Sequence, residues 1–327
     1  MNEQSESQFE IVVVGGAHRD TICRTSAPAT PGASNPGTSS QRIGGGGFNA
    51  ALSMSALGGI VHVVGARGGD TAGNEVAVAI ARAGMIDAGV VWLDRRTPSY
   101  TAVLDCDGEL IVGVADMGLY DLLTARALSR KHFRDLAAKA DALLVDANLP
   151  ESGLRHLAAL ADGRPIAAIG VSPAKAPRLG GILPFLSVAF LSKAEASALL
   201  DSLETEAHGR DGALTDVGAL AGGLAAVGLK AAVITDGPHD AAILDGGGVY
   251  RQSPPAVSPV DVTGAGDTLA GVAFHAILSG ESLLSAVQRG QAAAALRITA
   301  PASFPPHDFE TQIAALVGQM PQPRRIT

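Results

Sequence analysis

The amino-acid sequence predicts an α/β fold with a mostly parallel, doubly wound central sheet, and three observations carry that prediction. Short runs of β-branched and aliphatic residues alternate with longer stretches rich in Ala and Leu, the spacing of repeated strand-helix units. The first run, Ile11 to Val14 closed by Gly15 and Gly16, is apolar throughout, as a strand covered on both faces requires. With 40 glycines, many alanines and only 4% aromatic residues, the chain has little bulk to place between layers, which implies helices packed closely on the sheet.

The 327 residues suffice for two modest domains or one large α/β domain, and the single large domain is the reading adopted. Residues 10–16 form the first strand. Periodicity is then lost from 17 to 43, where three prolines stand among many Ser, Thr and Gly residues, as in an excursion or lid. Small and apolar residues from Gly47 to Leu57, stopped by Gly58-Gly59, suit a helix lying on the sheet, and Ile60 to Val64 is the next strand. Further strand-like runs are Gly89–Leu93, Ala142–Val145, Ile166–Val171, Val188–Leu191 and Ala231–Thr235. Ser99–Asp105 and Glu109–Ala115 flank Asp107-Gly108 as a hairpin, a second candidate piece of the lid. The expected division is a core of 1–16, 44–97 and 117–327, with lid segments 17–43 and 98–116.

Composition narrows the partners. With 24 basic against 32 acidic side chains, there is no electrostatic footprint for nucleic acid or an anionic membrane surface, so the expected partners are small molecules. Cys23 and Cys106 are far apart and lack metal-ligand spacing, which argues against a zinc site or a disulfide framework and for a reducing, cytoplasmic setting. Ile11 to Val14 is too short for a signal core, and no apolar run approaches a membrane span.

The most informative stretch is Asp261-Val262-Thr263-Gly264-Ala265-Gly266-Asp267-Thr268, followed at once by apolar residues to Leu278. Gly264 and Gly266 permit a tight turn in which the amides of Ala265, Gly266 and Asp267 converge at a helix N-terminus, a ready anion site. A carboxylate beside such a site is repelled by phosphate, so Asp267 makes chemical sense as a group that takes a proton from a nucleophile, although Asp is also a favoured helix cap. In doubly wound sheets ligands bind beyond the carboxyl ends of the strands, and Asp20, Asn49 and Asp267 all fall on that rim. Asp20 suits two neighbouring hydroxyls or an ordinary turn; Asn49, behind the run Gly44 to Gly47, suits a substrate edge or a helix cap. No lysine follows a glycine, which excludes a P-loop, and no Gly-x-Gly-x-x-Gly follows the first strand.

Together these pieces resemble the ribokinase-like (PfkB) family of carbohydrate and nucleoside kinases over nearly the whole chain. Gly44-Gly45-Gly46-Gly47-Phe48-Asn49-Ala50-Ala51 resembles that family's N-terminal signature, and Asp261 to Asp267 its C-terminal one. Softer similarities are Gly69 to Gly73, Thr235-Asp236-Gly237 and Ala292 to Ala300. Ser34 to Gly37, Tyr100 to Asp105 and Val114 to Met117 resemble lid segments of pseudouridine kinases within the family.

The resemblance implies a three-layer αβα sandwich with a small β lid, and transfer of the γ-phosphate of ATP to the primary hydroxyl of a ribose-containing substrate, pseudouridine being the best match. Another sugar or nucleoside kinase, or a non-catalytic nucleotide-binding protein of the same fold, are the alternatives. It implies Asp267 as catalytic base, Gly264, Ala265 and Gly266 as anion hole, and Asp20, Gly45, Gly46 and Asn49 around the substrate, with His18 beside them. ATP contacts are implied at Thr235, Gly237, Thr263 and Gly266, magnesium (Mg2+) indirectly at Glu195, potassium (K+) at Asp261, and a homodimer through the lid. Two departures stand out: Ser192 where the family usually has Asn, three residues before Glu195, and Asp240 where it usually has glycine.

Overall fold

The computed structural model describes residues 8–207, 216–246 and 248–326. Residues 1–7 and 208–215, assigned above to the core, lie outside the described residues. Ten strands form one sheet in the order Arg324–Arg325, Gly248–Gln252, His239–Asp245, Ala231–Asp236, Val188–Ser192, Ile166–Ile169, Ala142–Asp146, Glu10–Val14, Ile60–Val64 and Ile86–Asp87. All pairings from Ala231–Asp236 to Ile86–Asp87 are parallel, and the three at the other edge are antiparallel.

Alternation along the central strands separates two cores. Val12, Val14, Leu143 and Val145 point to one face, where Leu154, Leu199 and Leu220 cover them from three helices. Ile11, Val13, Ala142 and Leu144 point to the other, against Met54, Ile80, Phe274 and Val287 of four more helices. A strand buried on both faces needs apolar side chains at every position, which is why these runs carry no polar-apolar period.

Two helices aim at the carboxyl rim. Gly46–Ala56 begins one residue before the sequence places it, and Ala265–Leu278 begins within the glycine motif. Their close approach depends on Gly271: a Cβ there would stand 2.4 Å from the Ala50 carbonyl oxygen. Gly290 does the same for the helix Leu283–Thr299, where a Cβ would lie 2.7 Å from the Leu269 carbonyl oxygen. Glycine is used here for backbone contact.

The segments 17–43 and 98–116 supply a separate four-stranded sheet in the order Gly37–Gly44, His18–Thr25, Ser99–Leu104 and Leu110–Asp116. The hairpin around Asp107-Gly108 is present. Two strands also occupy 17–43, where the sequence loses its period. Gly37 to Gln41 is exposed at every position, so no burial pattern was there to be read. The run Gly89–Leu93 contributes only Val90–Trp92, paired with Ala66–Gly68 outside the main sheet. It is short and buries one residue fully, too little for an interior position. The antiparallel edge also departs from the expected strand-helix alternation: Gly237, at φ 57°, reverses the chain into His239–Asp245 without a helix.

Gly271→Ala is expected to cost about 1–3 kcal/mol by overpacking, measured by urea denaturation, because the obstruction is the Ala50 backbone and cannot rotate away.

Candidate active site

The floor of the site is organised by Asp146, at the carboxyl end of Ala142–Asp146 and without solvent exposure. Its Oδ2 accepts from the amides of Gly16 (2.7 Å) and Gly47 (3.1 Å) and from Asn148 Nδ2 (3.1 Å), and its Oδ1 from the Asn148 amide (3.0 Å). Three chain segments are thereby drawn to one carboxylate. Gly15 has no room for a side chain, since a Cβ would lie 2.5 Å from Asp146 Oδ2. Burial pushes the Asp146 carboxyl above its ordinary range, against the opposing pull of those donors.

Asp20 and His18 stand on one wall, on the strand His18–Thr25. Asp20 is 5% exposed, and its Oδ1 has no hydrogen-bond partner; His18 Nε2 comes to 3.3 Å without hydrogen-bond geometry. Such a buried acceptor calls for a donor from outside the protein. His18 Nδ1 lies 3.1 Å from the hydroxyl of Tyr120, which also accepts from the Ala17 amide at 2.9 Å. Tyr120 is fully buried, and its hydroxyl is held well above its ordinary pKa by burial first and then by the charge of Asp146.

Opposite stands Asp267, in the first turn of Ala265–Leu278. Gly264, left-handed at φ 79°, occupies the capping position, so Asp267 does not cap this helix. Its Oδ2 accepts from Asn49 Nδ2 at 3.0 Å. Asp267 is half-buried and lines the cleft. Burial is the largest influence on its carboxyl and raises the pKa; Asn49 opposes that rise, Asp146 adds to it, and Arg297 and His18 oppose it. A carboxylate made more basic in this way can accept a proton from an alcohol. The amides of Gly266 and Asp267 are helix-start donors without helical partners, whereas that of Ala265 turns back to the Val262 carbonyl at 3.3 Å.

The structure brings the expected groups together. His18, Asp20, Gly45, Gly46, Asn49, Glu195, Thr235, Thr263, Gly264, Ala265, Gly266 and Asp267 line one cavity of about 670 Å³. Gly46 sits between two carboxylates, where a Cβ would be 3.3 Å from both Asp146 Oδ2 and Asp267 Oδ1. A second, more apolar cavity of about 490 Å³ joins the first along Thr235, Val262, Ala265, Gly266 and Leu269. It contains Gly237 and reaches Ala294, Ala295 and Ile298, the stretch noted in the sequence.

Two expected residues have structural partners. Glu195 Oε2 accepts from the Ser192 amide (2.8 Å) and Ser192 Oγ from the Glu195 amide (3.3 Å), a reciprocal box at the start of Lys193–Ala207. Asp261 Oδ2 receives Arg42 Nη1 at 2.5 Å, and its Oδ1 receives the Thr263 amide at 2.8 Å. Asp70, in the softer motif Gly69 to Gly73, caps its helix by accepting from Gly73 and binds Thr97.

Sequence reasoning missed Asp146, Asn148, Tyr120 and Arg297. Asp146 was findable, as a carboxylate on the end of a buried strand; Arg297 was a charge that closes a run of alanines in a helix that also carries Arg289. Tyr120 carried no local signal, because its hydroxyl acts across more than a hundred residues of chain.

Comparison with known proteins agrees with this geometry. A carbohydrate kinase from Agrobacterium tumefaciens is 38% identical, with TM-score 0.82, over 98% of this chain and 100% of that one. Arabidopsis thaliana ribokinase, solved with ribose and ATP, shares the fold at TM-score 0.80 and 21% identity, over 95% of this chain and 99% of that one. Escherichia coli pseudouridine kinase is 26% identical over 261 residues, 79% of this chain and 80% of that protein. A second E. coli protein, the uncharacterized sugar kinase YeiI, is 32% identical over 169 residues, 51% of this chain and 46% of its own length, so the match spans less than half of that relative. The fold is therefore ribokinase-like. The family described as pfkB family carbohydrate kinase matches residues 8–307, and the chain accordingly belongs to the pfkB family of carbohydrate kinases.

Proposed function

We propose that the chain transfers the γ-phosphate of ATP to the 5' hydroxyl of a ribose-containing substrate, with pseudouridine as the acceptor. The carrying observation is the buried Oδ1 of Asp20, which has no hydrogen-bond partner among the described residues and belongs to a residue lining the same cavity as Asp267. A ribose with two neighbouring hydroxyls would give Asp20 its missing donor, while Gly45 and Gly46 let the ring approach the backbone. Asn49 fixes the carboxylate of Asp267, which takes the proton from the primary hydroxyl. The donors at Gly266 and Asp267 then face charge on the moving phosphoryl group. ATP would lie in the adjoining cavity, its phosphates toward the shared rim.

Among the described residues, no three His, Cys, Asp or Glu side chains gather as a metal cage. Glu195, in the same cavity, is the residue suited to meet a hydrated magnesium ion carried on the nucleotide phosphates, where the ion supplies neutralisation of the phosphate charge.

For the base of a nucleoside, the support lies in the four-stranded sheet, read as a lid. Tyr100, Ala115 and Met117 border the cavity, as do Asn148 and Lys175, whose Nζ donates to Asn148 Oδ1 at 2.5 Å. Gly113 leaves space for Tyr100, since a Cβ there would be 2.6 Å from its hydroxyl. Similarity to E. coli pseudouridine kinase supports the same acceptor. The outer lid strand, Leu110–Asp116, is exposed at every position and shows Leu110, Ile111, Val112 and Val114 to solvent. An unpaired apolar edge of this kind supports a homodimer formed through the lids.

Asp267→Asn is expected to lower turnover by about 10²- to 10⁴-fold. Because burial raises the folded pKa, the acid limb of wild-type kcat/KM should lie above the ordinary carboxylate value of 3.8. The same raised pKa contributes stability below the unfolded pKa and loses it as pH rises through the folded one. At neutral pH, thermal melting of Asp267→Asn should therefore match or exceed wild type; a folded variant with near-normal turnover removes the base assignment.

In a coupled ADP-release assay with pseudouridine, uridine and ribose, pseudouridine should give the highest kcat/KM. Activity confined to ribose would retire the nucleoside reading. Sedimentation should show a dimer for wild type and a monomer for the double variant Ile111→Lys, Val114→Lys, and a wild-type monomer would refute the lid interface.

A further inference from the structure

The loop that opens the catalytic helix is held by two guanidinium groups from opposite sides. Arg42, on the lid strand Gly37–Gly44, donates to Asp261 Oδ2 at 2.5 Å and has its Nε 3.9 Å from Asp20 Oδ2. Arg297, on the last turn of Leu283–Thr299, donates from Nε to the Thr263 carbonyl at 3.3 Å. Arg297 is only 7% exposed, and its guanidinium lies over the Phe304 ring, 5.3 Å from the centroid. The same helix end is strapped to the loop through the Ile298 carbonyl, which accepts from the amides of Val260 (2.7 Å) and Asp261 (3.2 Å).

The resemblance to the family implied a potassium ion at Asp261, and the residues present do not fit one. An alkali cation needs its hydration shell replaced by several free oxygens. Here both Asp261 oxygens and the Thr263 carbonyl already accept hydrogen bonds. Arg42 and Arg297 also add two fixed positive charges, which would repel a third. They stand among Asp20, Asp261 and Asp267, so the positive charge that this acidic cluster requires is present in the chain itself.

We propose that Arg42 and Arg297 take the place of a monovalent cation, with Arg297 as a positioning residue that holds Thr263 and Gly264 in the shape that presents the helix-start amides and Asp267. Phosphoryl transfer by this chain is then independent of potassium. The proposal rests on the kinase reading for its turnover and nucleotide-binding arms, and the melting arm is independent of it.

Melting of the ligand-free protein in potassium, sodium and choline chloride at equal ionic strength tests the cation site without any acceptor. Coincident curves are expected; a saturable, potassium-specific rise in Tm overturns the proposal, since a bound cation stabilises by mass action. Turnover in the three salts should coincide, and a fall of about tenfold or more in choline would likewise overturn it. For the positioning role, binding of a fluorescent ADP analogue should weaken about tenfold or more in Arg297→Met, the loss of one charged hydrogen bond. Arg297→Lys, which keeps the charge, should recover most of that affinity and separates loss of charge from loss of packing. Wild-type affinity in Arg297→Met, or no recovery in Arg297→Lys, refutes the role.

Discussion

One buried carboxylate sets the geometry on which the site depends. Asp146 gathers the Gly16 amide, the Gly47 amide and both donors of Asn148, joining the end of the first strand, the start of the first long helix and the turn after the strand Ala142–Asp146. Among the described residues no cation pairs with it directly, and four hydrogen bonds replace its lost hydration. This explains the glycines around it better than flexibility does. Gly15 and Gly16 must let their backbone reach the carboxylate, and Gly46 must pass between Asp146 and Asp267. Ala17, His18 and Asp20 follow directly from that anchored turn, so the substrate wall is placed by main-chain bonds.

The second constraint is charge. Asp20, Asp261 and Asp267 stand close enough to influence Arg297, and Arg42 shares that field. An unneutralised group of this kind would repel a nucleotide phosphate before it arrived. Arg42 and Arg297 reduce the local charge while hydrogen-bonding the loop, and Arg42 belongs to the four-stranded sheet whereas Arg297 belongs to the core. Substrate wall, catalytic helix and lid strand are therefore connected through Asp261 and Asp20. The strand Gly37–Gly44 and the loop before Ala265–Leu278 are thus tied by the Arg42–Asp261 pair.

Legibility in the sequence followed locality. The glycine motif, the first helix and the central strands could be read because each places its requirements within a few residues: φ freedom at Gly264, contact glycines, unbroken apolar runs. Asp20, Asn49 and Asp267 were assigned to one rim from topology alone, and they share a cavity. What escaped depended on partners distant in the chain. Asp146 acts on Gly16 across 130 residues, and Arg42 meets Asp261 across 219. In the four-stranded sheet the hairpin Ser99–Leu104 and Leu110–Asp116 was read from its Asp107-Gly108 turn, whereas His18–Thr25 and Gly37–Gly44 escaped: Gly37 to Gln41 is exposed at every position and lacks the burial that imposes a period. The antiparallel edge was hidden by the alternation rule, which supplies a helix after each strand and has no term for a turn such as that at Gly237.

The environment of Asp267 shows how these constraints bear on chemistry. A free aspartate is too weak a base to draw much density from an alcohol, and burial without compensation would keep the group protonated and useless as an acceptor. The structure applies both influences: dense walls and the charge of Asp146 raise its pKa, while Asn49, Arg297 and His18 lower it. Asn49 adds direction, because its donation to Oδ2 leaves Oδ1 on the side of Gly46, where the ring of a substrate would approach. Glu195, in the same cavity, has its own carboxyl pushed up chiefly by burial and also by the charge of Asp267, so one enclosure draws both carboxylates toward the protonated form while separate donors hold each of them in place.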